Sequence, residues 1–174
     1  MQLLKEQHVH LRALEPEDLD FLFITENESS FWEVSSTQAP FSKYILEQYI
    51  ASSHQDIYTA KQLRLIVAEN TTDEPVGIID LFDFNPQHQR AGIGILINTA
   101  HQQKGFASEA LNLLVTYSFN ILNLHSLFAN ISTENTSSLA LFKKFNFTEV
   151  GTKKDWIYTN GKFKDELLLQ LVKK

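Results

Sequence analysis

The sequence predicts an α+β domain built on one central sheet, mixed but mostly antiparallel, with helices packed against it. Three observations carry this expectation. Segments that read as strands outnumber helical ones, and they mostly follow one another directly and so pair locally. The 174 residues also hold no Pro/Gly/Ser-rich linker and no repeat of about 20–50 residues, so residues 1–174 read as one domain. A chain this long buries roughly 70% of its unfolded surface, enough for one self-sufficient core. An apolar fraction of 43%, a charged fraction of 21% and 13 Phe exclude a disordered chain or a coiled coil.

The elements follow in order. Val9 to Leu14 alternates like a strand, and Glu15-Pro16-Glu17-Asp18 then places a proline and acids in the first turn of a helix carrying Leu19, Phe21, Leu22 and Phe23. A polar stretch, Glu26 to Pro40, holds Phe31, Trp32 and Val34. A second helical pattern follows Ser42, with Tyr44, Ile45, Gln48 and Tyr49. Arg64 to Glu69 and Val76 to Phe84 read as a hairpin around the turn residues Asn70 to Pro75, and Arg90 to Ile97 extends the meander after a second turn, Asn85 to Gln89. From Gly105 the period becomes helical, with Ala107, Ala110, Leu111, Leu114, Tyr117 and Ile121 on one face. Leu127 to Ile131 is a short strand and Asn135 to Phe145 a helix. Thr148 to Thr159 and Lys162 to Val172 form a hairpin about Asn160-Gly161. The expected order is β-α-α-β-β-β-α-β-α-β-β.

Composition narrows the chemistry. The absence of cysteine removes disulfides, thiolate metal sites and a cysteine nucleophile. A formal charge of −6 argues against nucleic acid as partner; it suits a cationic substrate and is equally an ordinary solubility feature. No apolar run approaches the ~20 residues of a membrane helix and the N-terminus lacks a signal-peptide core, so a soluble cytoplasmic protein without a membrane partner is expected. His8 and His10 share a strand face without further ligands nearby, so no metal is expected.

The most informative stretch runs from Ile95 to Ala110, a strand passing through a polar turn into a helix start. Unpaired N–H groups and the positive end of the helix dipole can bind a pyrophosphate there, and Gly105 and Ala107 leave its oxygens room. Gln102-x-x-Gly105-x-Ala107 and the segment Asn135 to Phe147, in this order of elements, resemble the GNAT superfamily of acyl-CoA-dependent N-acetyltransferases. The match resembles most the branch of spermidine/diamine and ribosomal-protein N-terminal acetyltransferases, through Leu11 to Leu19, Gly77 to Asn85 and His88 to Ala91.

The resemblance implies acetyl-CoA as co-substrate and direct attack of an amine on the thioester. Pyrophosphate contacts would come from Gln102, Gln103, Lys104, Gly105, Phe106, Ala107 and Ser108. The strand backbone at Ile95, Leu96 and Ile97 would hold the pantetheine, with Asn135, Ser138, Phe142 and Lys144 in the second cofactor motif. Two positions depart from the pattern. Gln103 stands where a glycine is frequent, tolerable if that residue needs no positive φ. Phe142 stands where many members of the family have a tyrosine that protonates the departing thiolate, a role in which water or another hydroxyl, such as Tyr117 or Tyr158, could substitute.

An alkylamine titrates near ~10.4 and arrives charged, so a base is needed; the candidates are Asp83, Asp80 and His88. Alternation puts Asp80 and Asp83 on opposite faces unless a bulge intervenes, and Asp83, nearer the strand end, is the first choice. Gly92 and Gly94 either open room for substrate or admit a closely packed helix. Glu28, Trp32 and Glu33, with Glu26 and Phe31, form a candidate cage for a polycation, or an acidic loop with tucked aromatics. Trp156 and Tyr158 either line the same pocket or pack. The favoured function is acetyl transfer to a diamine or polyamine; the alternatives are protein N-terminal acetylation and a catalytically weak acyl-CoA-binding module. The resemblance is also compatible with a homodimer.

Overall fold

Strand β1 (Val9–Arg12) leads through a 3-10 turn, Pro16–Asp18, into α1 (Leu19–Glu26) of the computed structural model, which describes residues 2–174. There follow α2 (Trp32–Ser35), α3 (Lys43–Ser52), α4 (Ile57–Ala60), β2 (Leu63–Glu69), β3 (Pro75–Asn85) and β4 (Arg90–Ile97). A 3-10 turn, Thr99–His101, precedes α5 (Phe106–Asn120), then β5 (Ser126–Ser132), α6 (Thr136–Lys144), β6 (Thr148–Thr159) and β7 (Lys162–Val172). All seven strands form one sheet in the order β1-β2-β3-β4-β5-β7-β6, and the α+β expectation is met.

Local chemistry explains the boundaries. β1 ends at Arg12 rather than Leu14 because Arg12 forks onto Asp18 (2.8 and 2.9 Å), whose carboxylate also accepts the Glu15 N–H at 2.8 Å and turns the chain. Ser42 caps α3 through the Ile45 N–H, and Asn135 caps α6 through the Ser138 N–H. The short α4, absent from the expected order, is announced by Asp56, which accepts the N–H groups of both Tyr58 and Thr59. Asn160 and Gly161 both have positive φ, as a tight hairpin between β6 and β7 requires.

Two apolar clusters lie on opposite faces of the sheet. On one, Ile79, Leu81, Ile93 and Leu127 meet Leu111 and Leu114 of α5 and Phe142 of α6. On the other, Ile66, Ala68 and Ile78 meet Leu22 of α1 with Leu46 and Ile50 of α3. Burial of each large aliphatic side chain contributes about 1.5–3 kcal/mol.

The register of β4 defines the functional geometry. It runs antiparallel to β3 from Phe82↔Gly92 to Gly77↔Ile97, but pairs with the parallel β5 only at Arg90↔Ser126, Ala91↔Leu127 and Gly92↔Phe128. Beyond Gly92 the two parallel strands part, and Ile93–Ile97 have a strand on one side only.

Candidate active site

The opening between β4 and β5 leads to the start of α5. Gln102 reaches back to donate from Nε2 to the Ile97 carbonyl at 3.0 Å, and the Asn98 side chain accepts the Ala100 N–H at 3.2 Å, so the turn is folded onto the strand end. Gln103 and Gly105 both adopt left-handed backbone, φ 62° and 82°. The condition attached to Gln103, that it need no positive φ, is therefore not met: a non-glycine residue carries the strain of the first bend.

Gly105 is the N-cap of α5 and supplies no side-chain cap. Among the described residues, the backbone N–H groups from Gln103 to Ser108 have no hydrogen-bond partner within the protein. A methyl group on Gly105 would meet nothing within 4 Å. Open space, unpartnered donors and a 15-residue helix behind them fit a pyrophosphate. Lys144, at the end of α6, donates to Ser108 Oγ at 3.4 Å and brings a cation to the same rim. Phe142 is buried, edge-on to Phe147 with centroids 5.0 Å apart, and has no proton to give. Tyr117 is half-buried beside the α5 core, and Tyr158 is exposed on the outer hairpin against Phe163.

The other face carries an ionic cluster. Strand register sets Asp80 between Arg64 on β2 and Gly94 on β4. Arg64 grips Asp80 with Nε to Oδ1 at 2.7 Å and Nη2 to Oδ2 at 2.9 Å, while its Nη1 donates to Glu26 from the end of α1. Burial works against the guanidinium's charge, but the two carboxylates outweigh it and hold its pKa above the ordinary value. The Tyr49 ring of α3 lies 5.6 Å from the guanidinium, and burial raises its phenol pKa. Tyr49, Gln62, Arg64, Asp80 and Phe82 line a cleft of about 160 Å³.

The remaining predicted residues are placed as follows. A bulge intervenes in β3 between Phe82 and Asn85, and Asp83 lies in it, exposed, with φ 47°. The alternation argument stops short of Asp83, and of the two acids it is Asp80 that is built into a cleft. His88 is exposed in the β3–β4 turn, its N–H donating to Asn85 Oδ1 at 2.9 Å, at the end of β4 remote from the α5 loop. Neither reading of the two glycines holds for Gly92: a Cβ there would fall 2.3 Å from the Phe82 ring, so a cross-strand aromatic, not a helix, needs the space. Gly94 is open, with only Phe82 at 4.0 Å.

The expected cage is tied into the protein. Glu28 accepts from Ser30, and Trp32 Nε1 donates to the Glu26 carbonyl at 3.0 Å. Glu33 binds Lys164 of β7 through both oxygens, at 3.0 and 3.1 Å, and the same ammonium reaches Glu134 at 2.9 Å. Trp156 and Tyr158 are exposed on β6 at the sheet edge, two strands from β5 and three from β4. His8 and His10 serve contacts between elements: His8 Nδ1 meets Glu109 at 2.6 Å, and His10 lies between Asn70 and Asp73. Sequence reasoning missed Arg64 and Lys164, whose partners are 16 or more residues away; the only signal was a cation opening an apolar strand.

Residues 8–148 match the acetyltransferase (GNAT) domain family. The spermidine N(1)-acetyltransferase of Vibrio cholerae is 30% identical over 89% of this chain and 87% of its own. The putative ribosomal N-acetyltransferase YdaF of Bacillus subtilis is 27% identical over 97% and 93%. The crystal structure of the Vibrio cholerae spermidine N-acetyltransferase in complex with CoA and spermine superposes with a TM-score of 0.86 at 28% identity, over 94% of this chain and 95% of that one. With its parted β4 and β5, its unpartnered N–H groups at the α5 start and this family match, the chain belongs to the GNAT acetyltransferases, acyl-transferring enzymes with acetyl-CoA as co-substrate.

Proposed function

We propose that this enzyme acetylates a primary amine of a diamine or polyamine. The observation that carries the reading is Asp80: its carboxylate stands across from the open Gly94, one strand from the point where β4 leaves β5. Similarity to spermidine acetyltransferases supports the same acceptor class. The acetyl thioester supplies an activated carbonyl. N–H groups of Gln103 to Ser108 hold the pyrophosphate, with Lys144 and the α6 start (Asn135, Ser138) beside them, and the free backbone of Ile95, Leu96 and Ile97 aligns the pantetheine.

Asp80 receives the acceptor's ammonium group and orients it. The nitrogen must lose a proton before attack, since it titrates near ~10.4 when free, and Asp80 or a water bound to it takes that proton. Asp83 and His88 serve as solvent-side relays at most, given their exposure. With phenylalanine at 142, the thiolate takes its proton from water, which a thiol titrating near ~8.5 permits. Glu28, Trp32 and Glu33 border the acceptor's distal end.

A second reading, acetylation of a protein N-terminus, is favoured by the similarity to YdaF. The test is CoA-thiol release with purified protein over spermidine, short diamines, amino acids and N-terminal peptides, against a blank without acceptor. Turnover with the amines and a monoacetylated product by mass spectrometry is expected. Turnover with peptides alone contradicts the reading.

A further inference from the structure

We infer that Arg64 is a positioning residue of the acceptor site: its fork fixes the Asp80 carboxylate beside the Gly94 opening, and its sharing with Glu26 leaves the cluster one negative charge, matched to one ammonium group. The inference rests on the reading of Asp80 as the group that receives the acceptor. An unpaired aspartate on a strand rotates about two side-chain bonds. Here both oxygens accept from one planar cation, at 2.7 and 2.9 Å, and the cation is itself fixed by Glu26 and by the ring of Tyr49. Three elements, β2, α1 and α3, thus converge on the orientation of one carboxylate.

The chemistry explains why the residue is an arginine. A lysine would offer the same charge as a point donor and leave the carboxylate free to swing, whereas the guanidinium presents two parallel N–H groups in a fixed plane. Charge counting gives the second part. Arg64, Asp80 and Glu26 sum to −1, so a protonated amine neutralises the cluster; without Arg64 two carboxylates, with side chains 28% and 13% exposed, would face each other uncompensated.

The test compares wild type, Arg64→Lys and the double variant Arg64→Met/Glu26→Gln, with acetyl-CoA and the best amine of the panel. The first keeps the charges and loses the fork. The second keeps the net charge of −1, with no cation and no second carboxylate. Amine KM, acetyl-CoA KM, kcat and the pH profile of kcat/KM for the amine are measured beside thermal melting. The expected result is an amine kcat/KM lowered by about tenfold to a hundredfold in both, with a shifted pH profile and an acetyl-CoA KM within about twofold of wild type. Should Arg64→Lys melt too low to assay, the double variant, which leaves the part-exposed Asp80 as the one charge of the cluster, carries the test.

Amine kinetics within about twofold of wild type in either folded variant would overturn the inference, as would equal losses toward both substrates. Asp80→Asn separates this from failure of the underlying reading. If Asp80→Asn abolishes amine turnover while the Arg64 variants retain it, only the positioning role falls; if Asp80→Asn is also without effect, the acceptor site itself is misassigned.

Discussion

From Ile93 to Ser108 the protein offers its partner main chain: a strand edge without a neighbour, two left-handed residues and a run of N–H groups at a helix start. Across α1, α3, β2 and β3 it offers side chains: one guanidinium between two carboxylates, roofed by a phenol ring. The first half fits the phosphate and amide groups that any acyl-CoA carries. The second depends on which side chains meet across strand register, and is where the proposed function has the acceptor chosen. A main-chain site fixes backbone conformation rather than residue type, as Gln103 shows by adopting φ 62° without being glycine. A side-chain site fixes the residue type.

The sharpest way to break this division is Asp80→Asn. It keeps the side-chain volume and one acceptor for Arg64, and removes the charge proposed to meet the amine. The amine kcat/KM should fall by about 10²–10⁴ while acetyl-CoA KM stays near wild type, read from steady-state thiol release. Next in size is Gly105→Ala. The methyl group meets no atom, so its cost is the left-handed backbone, about 1–2 kcal/mol, and acetyl-CoA affinity measured by calorimetry should weaken by about tenfold with amine KM unchanged.

Phe142→Tyr sharpens the comparison from the core side of the sheet, where Phe142 of α6 packs. A hydroxyl added at this buried ring should raise kcat by up to about tenfold if protonation of the thiolate limits turnover, at a cost of about 1–3 kcal/mol in stability by denaturant melts. A rise in kcat for every acceptor alike would place the change on the thioester side.

The smallest effect is a pH dependence. Burial raises the Glu109 carboxyl, but hydrogen bonds from the His8 ring and the His8 and Val9 N–H groups outweigh it and hold it below the usual carboxylate range. The unfolded chain, whose carboxyl titrates at the ordinary value, binds the proton first as pH falls. The stabilisation is therefore present at neutral pH and lost as acid is added through the folded value. Glu109→Gln should flatten the fall of melting temperature between about pH 5 and 3, by a margin of about 1 kcal/mol or less.

How legible the protein is follows the same division. The strand-to-helix turn from Ile97 to Ala107, the period of α5 and the Asn160-Gly161 hairpin are local signals, and each element formed within one or two residues of expectation. Asp83 was preferred for lying nearer the strand end, and the bulge that turns it out to solvent is announced by no residue type. The Glu28–Trp32–Glu33 segment looked like an open cage because Lys164, 131 residues from Glu33, is brought to it only by the position of β7 in the sheet. Arg64 was invisible as a site residue for the same reason: its meaning lies in its register with Asp80 and in where α1 ends.

The most direct measurement is the double variant Asp80→Asn/Gly105→Ala assayed beside its two parents for acetyl-CoA affinity and amine kcat/KM. If the main-chain half and the side-chain half recognise their ligands independently, the two losses add within about 0.5 kcal/mol, each confined to its own substrate. Coupling well beyond that, or a loss of acetyl-CoA affinity from Asp80→Asn alone, would contradict the division of the site into these two halves.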